Sequence, residues 1–175
     1  MKSTGEVMGI GEDFGTAFYK AQLAAGLRLP SSGSILFSVN DLDKRNALNV
    51  ARKFASMGFS ILATSGTATF LRDMGVEVET VAKVSEGRPN FVDVIKSGQV
   101  GLIINTPLGE SSFRDGWAIR TAAIQHSVPC ITTLSGAAAA VEAVRAIQSS
   151  TTQVKSLQEI HLERNGAGVG LLLKQ

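Results

Sequence analysis

The sequence predicts an α/β chain: an open, mostly parallel sheet with helices on both faces. From residue 34 onward, short apolar runs alternate with amphipathic helical stretches, the rhythm of successive βαβ units. The apolar runs are bounded by glycine, serine and asparagine, which break regular structure. Eighteen glycines and 6% aromatic residues suit a chain with many tight βα turns.

Residues 1–11 are polar and glycine-rich, and residues 12–25 show helical spacing. Phe14, Phe18, Ala21 and Leu23 fall near one face, and Gly26 stands where a C-cap belongs. Pro30, Ser31, Ser32 and Gly33 then mark a boundary. Residues 1–30 therefore read as an appendage to a main domain over 31–175. One helix with a glycine-rich leader cannot fold alone, so its apolar face must dock somewhere, within this sequence or outside it. Within the main domain, strands are expected at 34–39, 59–63, 76–81, 100–104 and 128–131. Helices are expected at 41–57, 67–74, 90–96, 113–126 and 134–148, with a polar loop over 105–112. Residues 169–173 are apolar and read as an edge strand or a frayed end.

The bulk numbers bound the function. The 175 residues amount to about one domain, able to bury roughly 70% of its unfolded surface. A 44% hydrophobic content with 18% charge is globular rather than disordered. A net charge of +2, with acids scattered among the bases, gives no basic surface for nucleic acid or anionic membrane. No apolar run reaches membrane-spanning length, and the first residues lack a signal peptide's apolar core. The single cysteine, Cys130, excludes an internal disulfide and a multi-cysteine zinc site and fits a reducing, cytoplasmic setting.

The most informative stretch is Thr64-Ser65-Gly66-Thr67, where a strand ends and a helix begins. The first N–H groups of a helix lack intrahelical partners and carry partial positive charge. Gly66 lets a ligand approach the backbone, and the hydroxyls of Thr64, Ser65 and Thr67 add donors, so the turn suits a phosphate or carboxylate. An ordinary N-cap explains the same residues. In an open parallel sheet ligands gather at the carboxyl ends of the strands. That rim also collects Ser38, Asn40 and Lys44 after the first strand and Lys83, Glu86 and Arg88 after the third. Asn105 and Thr106 follow the fourth strand, and Thr132, Thr133 and Ser135 the fifth. Three cations, several hydroxyls and an amide compose a site for a phosphate with a polar head.

Taken singly, each residue has a plainer reading. Lys44 and Lys83 can be solvated, and Arg88 can pair with Glu86. His126 and His161 read as surface residues, Cys130 as packing, and Trp117 with Ile124 as core at helical spacing. The convergence on one rim favours the site. No P-loop, zinc-protease, nucleophile-elbow or Cys–His motif is present, and no carboxylate pair looks poised for acid–base work.

In order and spacing, these motifs resemble a known family. Residues Lys2 to Gly9 resemble the segment closing the second ATP-grasp unit of the large chain of carbamoyl-phosphate synthase. Thr64-Ser65-Gly66-Thr67, Lys83 to Asn90 with Asp93, and Ile103-Ile104-Asn105-Thr106 resemble its C-terminal allosteric domain. That domain has the methylglyoxal-synthase-like, three-layer Rossmann-like fold. The resemblance implies a regulatory domain without an active site of its own or a resident cofactor. It would bind a nucleotide monophosphate, UMP or IMP, to regulate carbamoyl phosphate synthesis for the pyrimidine and arginine pathways. The parent ligase would use ATP and magnesium in the cytoplasm. Its ATP-grasp portion, with helix 12–25 docked on it, and a small glutaminase chain would be partners, and a homo-oligomer is possible. By resemblance the phosphate meets Lys44, Thr64, Thr67 and Lys83, with Ser38, Ser65, Gly66 and Asn105 completing the site. Thr132 is a possible contact for a second effector, ornithine, although Cys130 replaces a tyrosine found in some relatives. The loop Ser85 to Asn90 lacks the aspartate that methylglyoxal synthases use, which speaks against the alternative of a triose-phosphate lyase. A third possibility is an oligomerisation module.

Overall fold

The computed structural model describes residues 6–149 and 154–163. The expected strand over 169–173 and most of the motif Lys2 to Gly9 lie outside the described residues. Helix α1 (Phe14–Ala24) precedes a regular alternation of β1 (Ser34–Val39), α2 (Lys44–Ser56), β2 (Ser60–Thr64), α3 (Ser65–Asp73) and β3 (Glu79–Val81). There follow α4 (Phe91–Lys96), β4 (Val100–Thr106), α5 (Glu110–Gln125), β5 (Cys130–Ile131) and α6 (Leu134–Ser149). A last helical segment, α7, covers 157–163. Among the described residues the sheet has five strands in the order β3-β2-β1-β4-β5, all parallel.

Each face of the sheet has its own core. Ile35 and Phe37 of β1, Ile61 and Ala63 of β2, and Leu102 and Ile104 of β4 pack with α2, α3 and α6. The alternate positions, Leu36, Leu62 and Ile103, pack with Phe91 and Ile95 of α4 and Ile119, Ala122 and Ala123 of α5. Because successive strand side chains point to opposite faces, the next residues in the second series are Ser38, Thr64 and Asn105. They therefore lie on the α4/α5 face.

The order of strands reverses beside β1. Chain growth runs outward through β2 and β3, then returns to place β4 on the other side of β1. Such a reversal leaves a crevice at the carboxyl ends of the two central strands.

Several expected boundaries move. The third strand pairs only over Glu79–Val81, although Val76 is buried. Helix α3 begins at Ser65, two residues before the expected start. The expected polar loop is shorter, because β4 continues to Thr106 and α5 begins at Glu110 after Gly109 at φ 85°. Trp117 and Ile124, expected in the core, are 60% and 80% exposed on α5. The apolar spacing along α5 is met by Ile119, Ala122 and Ala123, so the helix is turned away from the expected face.

Helix α1 packs on α6 of this same chain, with Phe18 and Tyr19 against the core, while Phe14 of the expected apolar face is exposed. The approach is close because Gly15 has no side chain: a Cβ there would collide with the Glu142 carbonyl oxygen. The leader crosses α1 just as closely, since a Cβ on Gly9 would collide with the Ala17 carbonyl oxygen.

Candidate functional site

The crevice holds a cavity of about 260 Å³ at the carboxyl ends of β1, β2 and β4. The register sets its floor. Ser38 lies beside Asn105 across the β1/β4 ladder, and Phe37 beside Ala63 across β1/β2, so Thr64 follows next to Ser38. Thr64 and Asn105 are buried, and the Thr64 hydroxyl reaches Ser38 Oγ at 3.5 Å. Asn105 Nδ2 donates to the Gly116 carbonyl at 3.3 Å, joining the floor to α5.

The first turn of α3 forms one wall. Thr64 is its N-cap in extended conformation, yet its side chain makes no cap bond to the helix's first N–H groups. Thr67 secures this turn: its hydroxyl donates to the Val39 carbonyl and accepts from the Val39 amide, both at 3.3 Å. The hydroxyl expected to serve a ligand is therefore a tie between α3 and β1. Gly66 is exposed, and the nearest atom to a Cβ there would be Lys44 Nζ at 3.5 Å.

Lys44 enters from the start of α2, after β1, and Lys83 from the loop after β3. Both line the cavity, with Ser38, Thr64, Gly66, Thr67 and Asn105. Both have carboxylate partners. Lys44 Nζ is 2.6 Å from Asp41 Oδ1, and Lys83 Nζ is 3.6 Å from Asp115 Oδ2. The Lys44 ammonium, bonded to Asp41 and acting on it by charge, holds that carboxyl below its ordinary range. With two lysines and two aspartates the lining is formally neutral.

Two expected residues lie elsewhere. Ser65 does not line the cavity; its hydroxyl donates to Glu86 Oε2 at 2.9 Å. The same carboxylate oxygen accepts from the Lys83 backbone N–H at 2.9 Å. These bonds, the backbone one first, hold the Glu86 carboxyl low against a smaller opposing effect of burial. The expected Arg88–Glu86 pair is not formed, because Glu86 is taken by Ser65 and Lys83, and Arg88 lies 3.6 Å from Asp93. Thr132 is exposed beyond β5 and is not among the cavity's lining residues. Cys130 is partly buried, and burial pushes its thiol up to about 11, as befits a packing residue rather than a nucleophile.

Sequence reasoning missed Asp115 and Gly116. Asp115 sits inside a predicted helix, where a carboxylate is ordinarily solvated. Gly116 gives the available signal: a glycine inside a helix often has a packing reason. A Cβ there would lie 3.0 Å from the Pro107 ring, so its absence lets α5 close on the loop after β4. Asn40 also proves structural. Its side chain donates to Asp43 and to the Thr106 carbonyl, and accepts from the amides of Leu42 and Asp43. It turns the chain from β1 into α2 and ties β1 to β4.

Among the described residues, no group of His, Cys, Asp or Glu is placed to hold a metal ion, and no helix is long and apolar enough to cross a membrane.

The parallel sheet with helices on both faces has the MGS-like fold, and that family matches residues 46–132. The match runs from the first turn of α2 to the residue after β5. The chain is 53% identical over 164 residues to the carbamoyl phosphate synthase large chain of Archaeoglobus fulgidus, covering 93% of this chain and 15% of that one. It is 52% identical over 162 residues to a C-terminal section of the same large chain from Methanopyrus kandleri, covering 92% and 30%. A methylglyoxal synthase from Elizabethkingia anophelis superposes with a TM-score of 0.48 and 20% identity, over 70% of this chain and 80% of that one. The chain belongs with the carbamoyl phosphate synthase large chains and spans about 15% of the length of a full one.

Proposed function

We propose that this domain is an effector sensor that binds a nucleotide monophosphate, UMP or IMP, at the β1/β4 crevice. The observation that carries the reading is the meeting of Lys44, Lys83 and an α3 N-terminus without a side-chain cap around one cavity. The phosphate would sit against the first N–H groups of α3, with the two ammonium groups beside it. Ser38, Thr64 and Asn105 would take the remaining polar groups. No residue of the cavity needs to change protonation for this, so the ligand is held without being transformed. The cavity itself supplies what a resident cofactor would otherwise add: fixed charge and donors.

In the intact enzyme this binding would tune carbamoyl phosphate synthesis in the cytoplasm, for the pyrimidine and arginine pathways. The signal would pass to an ATP-grasp portion working with a glutaminase chain. Effector binding would shift an equilibrium between two arrangements of that enzyme, with a coupling of about 1–3 kcal/mol.

Calorimetric titration with UMP, IMP, ornithine and N-acetylglutamate tests the reading. A nucleotide is expected to bind, and Lys44→Ala and Lys83→Ala are each expected to weaken it by about ten- to a hundredfold. Unchanged affinity in both variants would remove the lysines from the site. Preferential binding of ornithine or N-acetylglutamate would redirect the assignment to a different effector.

A further inference from the structure

The cavity's own carboxylates raise a question that the phosphate reading leaves open. Asp41 is 89% exposed and can leave Lys44 for water at little cost, but Asp115 is only 19% exposed. It is fixed near the start of α5, where Gly116 closes on Pro107 and accepts the bond from Asn105. Its partner Lys83 is held from behind, because its backbone N–H donates to Glu86, which also accepts from Ser65 of α3. The Lys83–Asp115 pair therefore bridges the loop after β3 and helix α5 across the cavity. A phosphate dianion approaching Lys83 meets that carboxylate, and two anions cannot share one ammonium without mutual repulsion.

We propose that Asp115 is a built-in counter-anion that occupies Lys83 in the empty domain and is displaced when a phosphorylated ligand binds. This rests on the cavity being a phosphate site. Displacement removes the ionic bridge between the β3 loop and α5, so occupancy of the cavity loosens the first turns of α5. Trp117, the sole tryptophan, stands two residues from Asp115 and is 60% exposed, so it reports this change. Asp115 thus sets a threshold: it lowers affinity and converts ligand binding into movement of one helix.

The test is calorimetric titration of UMP into the domain with the Asp115→Asn substitution, which keeps the shape and removes the charge. The expected result is tighter binding by about three- to tenfold, shrinking to less than twofold when Lys83→Ala is already present. Asp115→Ala is expected to move affinity in the same direction, and matching thermal melts show that the variants are folded. Tryptophan emission of unliganded Asp115→Asn is expected to match that of the wild type saturated with UMP. Affinity unchanged or weakened by Asp115→Asn overturns the proposal, as does a gain that survives in full without Lys83. An emission unlike that of the saturated wild type also overturns the coupling to α5. Failure of the underlying site reading looks different: Lys44→Ala and Lys83→Ala then bind UMP as the wild type does. If neither the wild type nor Asp115→Asn binds UMP, both proposals fall.

Discussion

Helices α1 and α3 begin with the same device and finish it in opposite ways. Each has glycine at its second position, Gly15 and Gly66. In α1 the N-cap Asp13 supplies an anion from the chain itself: Oδ1 accepts from the Thr16 amide at 2.8 Å and Oδ2 from its hydroxyl at 2.7 Å. Gly15 is buried, pressed against the backbone of α6. In α3 the N-cap Thr64 makes no side-chain cap bond, and Gly66 faces a lysine with room to spare. A helix N-terminus is electrostatically incomplete without a negative partner. In α1 the chain's carboxylate accepts directly from a helix N–H, whereas at α3 the nearby Glu86 accepts from the Ser65 hydroxyl and the N-cap makes no side-chain bond.

The contrast is easiest to break by supplying α3 with what α1 has. Gly66→Asp places a carboxylate at the open N-terminus, within reach of Lys44. Calorimetry is expected to show nucleotide affinity reduced by more than about 100-fold, with the fold retained. The converse change tests the packing glycine. Gly15→Ala forces a methyl group onto the Glu142 carbonyl and is expected to cost about 1–3 kcal/mol, read as a lower thermal midpoint. A midpoint equal to the wild type would show that the α1–α6 approach is looser than described.

Smaller effects sharpen the same comparison. Asp13→Ala removes the cap of α1 and is expected to lower the midpoint by about 2–4 °C, with nucleotide binding unaffected. Gly66→Ala, with only Lys44 nearby, is expected to stabilise the free domain by about 0.5–1 kcal/mol through better helix propensity. The same methyl crowds the ligand, so affinity is expected to fall while stability rises.

The smallest effect is a pH dependence confined to α1. Bonds from Thr16, the backbone one first, hold the Asp13 carboxyl below its ordinary value of 3.8. Its folded-state pKa is therefore depressed. The associated stability is present above the ordinary carboxylate value and is lost as pH falls through the folded value. Midpoints measured from pH 5 down to pH 2 should fall more steeply in the wild type than in Asp13→Asn, which caps without titrating. Parallel slopes would show that Asp13 does not contribute.

The sequence made the fold legible where one signal acted alone. Continuous apolar runs gave β1, β2 and β4 because strands covered on both faces must be apolar on both sides. The order of hydroxyls and lysines after those strands indicated the rim. What failed depended on rotation or on partners distant in the chain. Trp117 and Ile124 have helical spacing, but spacing does not say which stripe of α5 meets the sheet, and the smaller Ala122 and Ala123 were chosen. Ser65 and Thr67 look equally available in the turn, yet one bonds Glu86 and the other Val39. Asp115 could be recognised only once Gly116 had brought α5 to the cavity.

The outer strands carry a further consequence. β3 pairs over three residues and β5 over two. Among the described residues, margins this short expose few unpaired amides and carbonyls to template an incoming chain, so these two strands are poorly suited to growth by strand addition or exchange. Neighbours, whether another copy or the remainder of a longer enzyme, are expected to meet this domain through its helical layers.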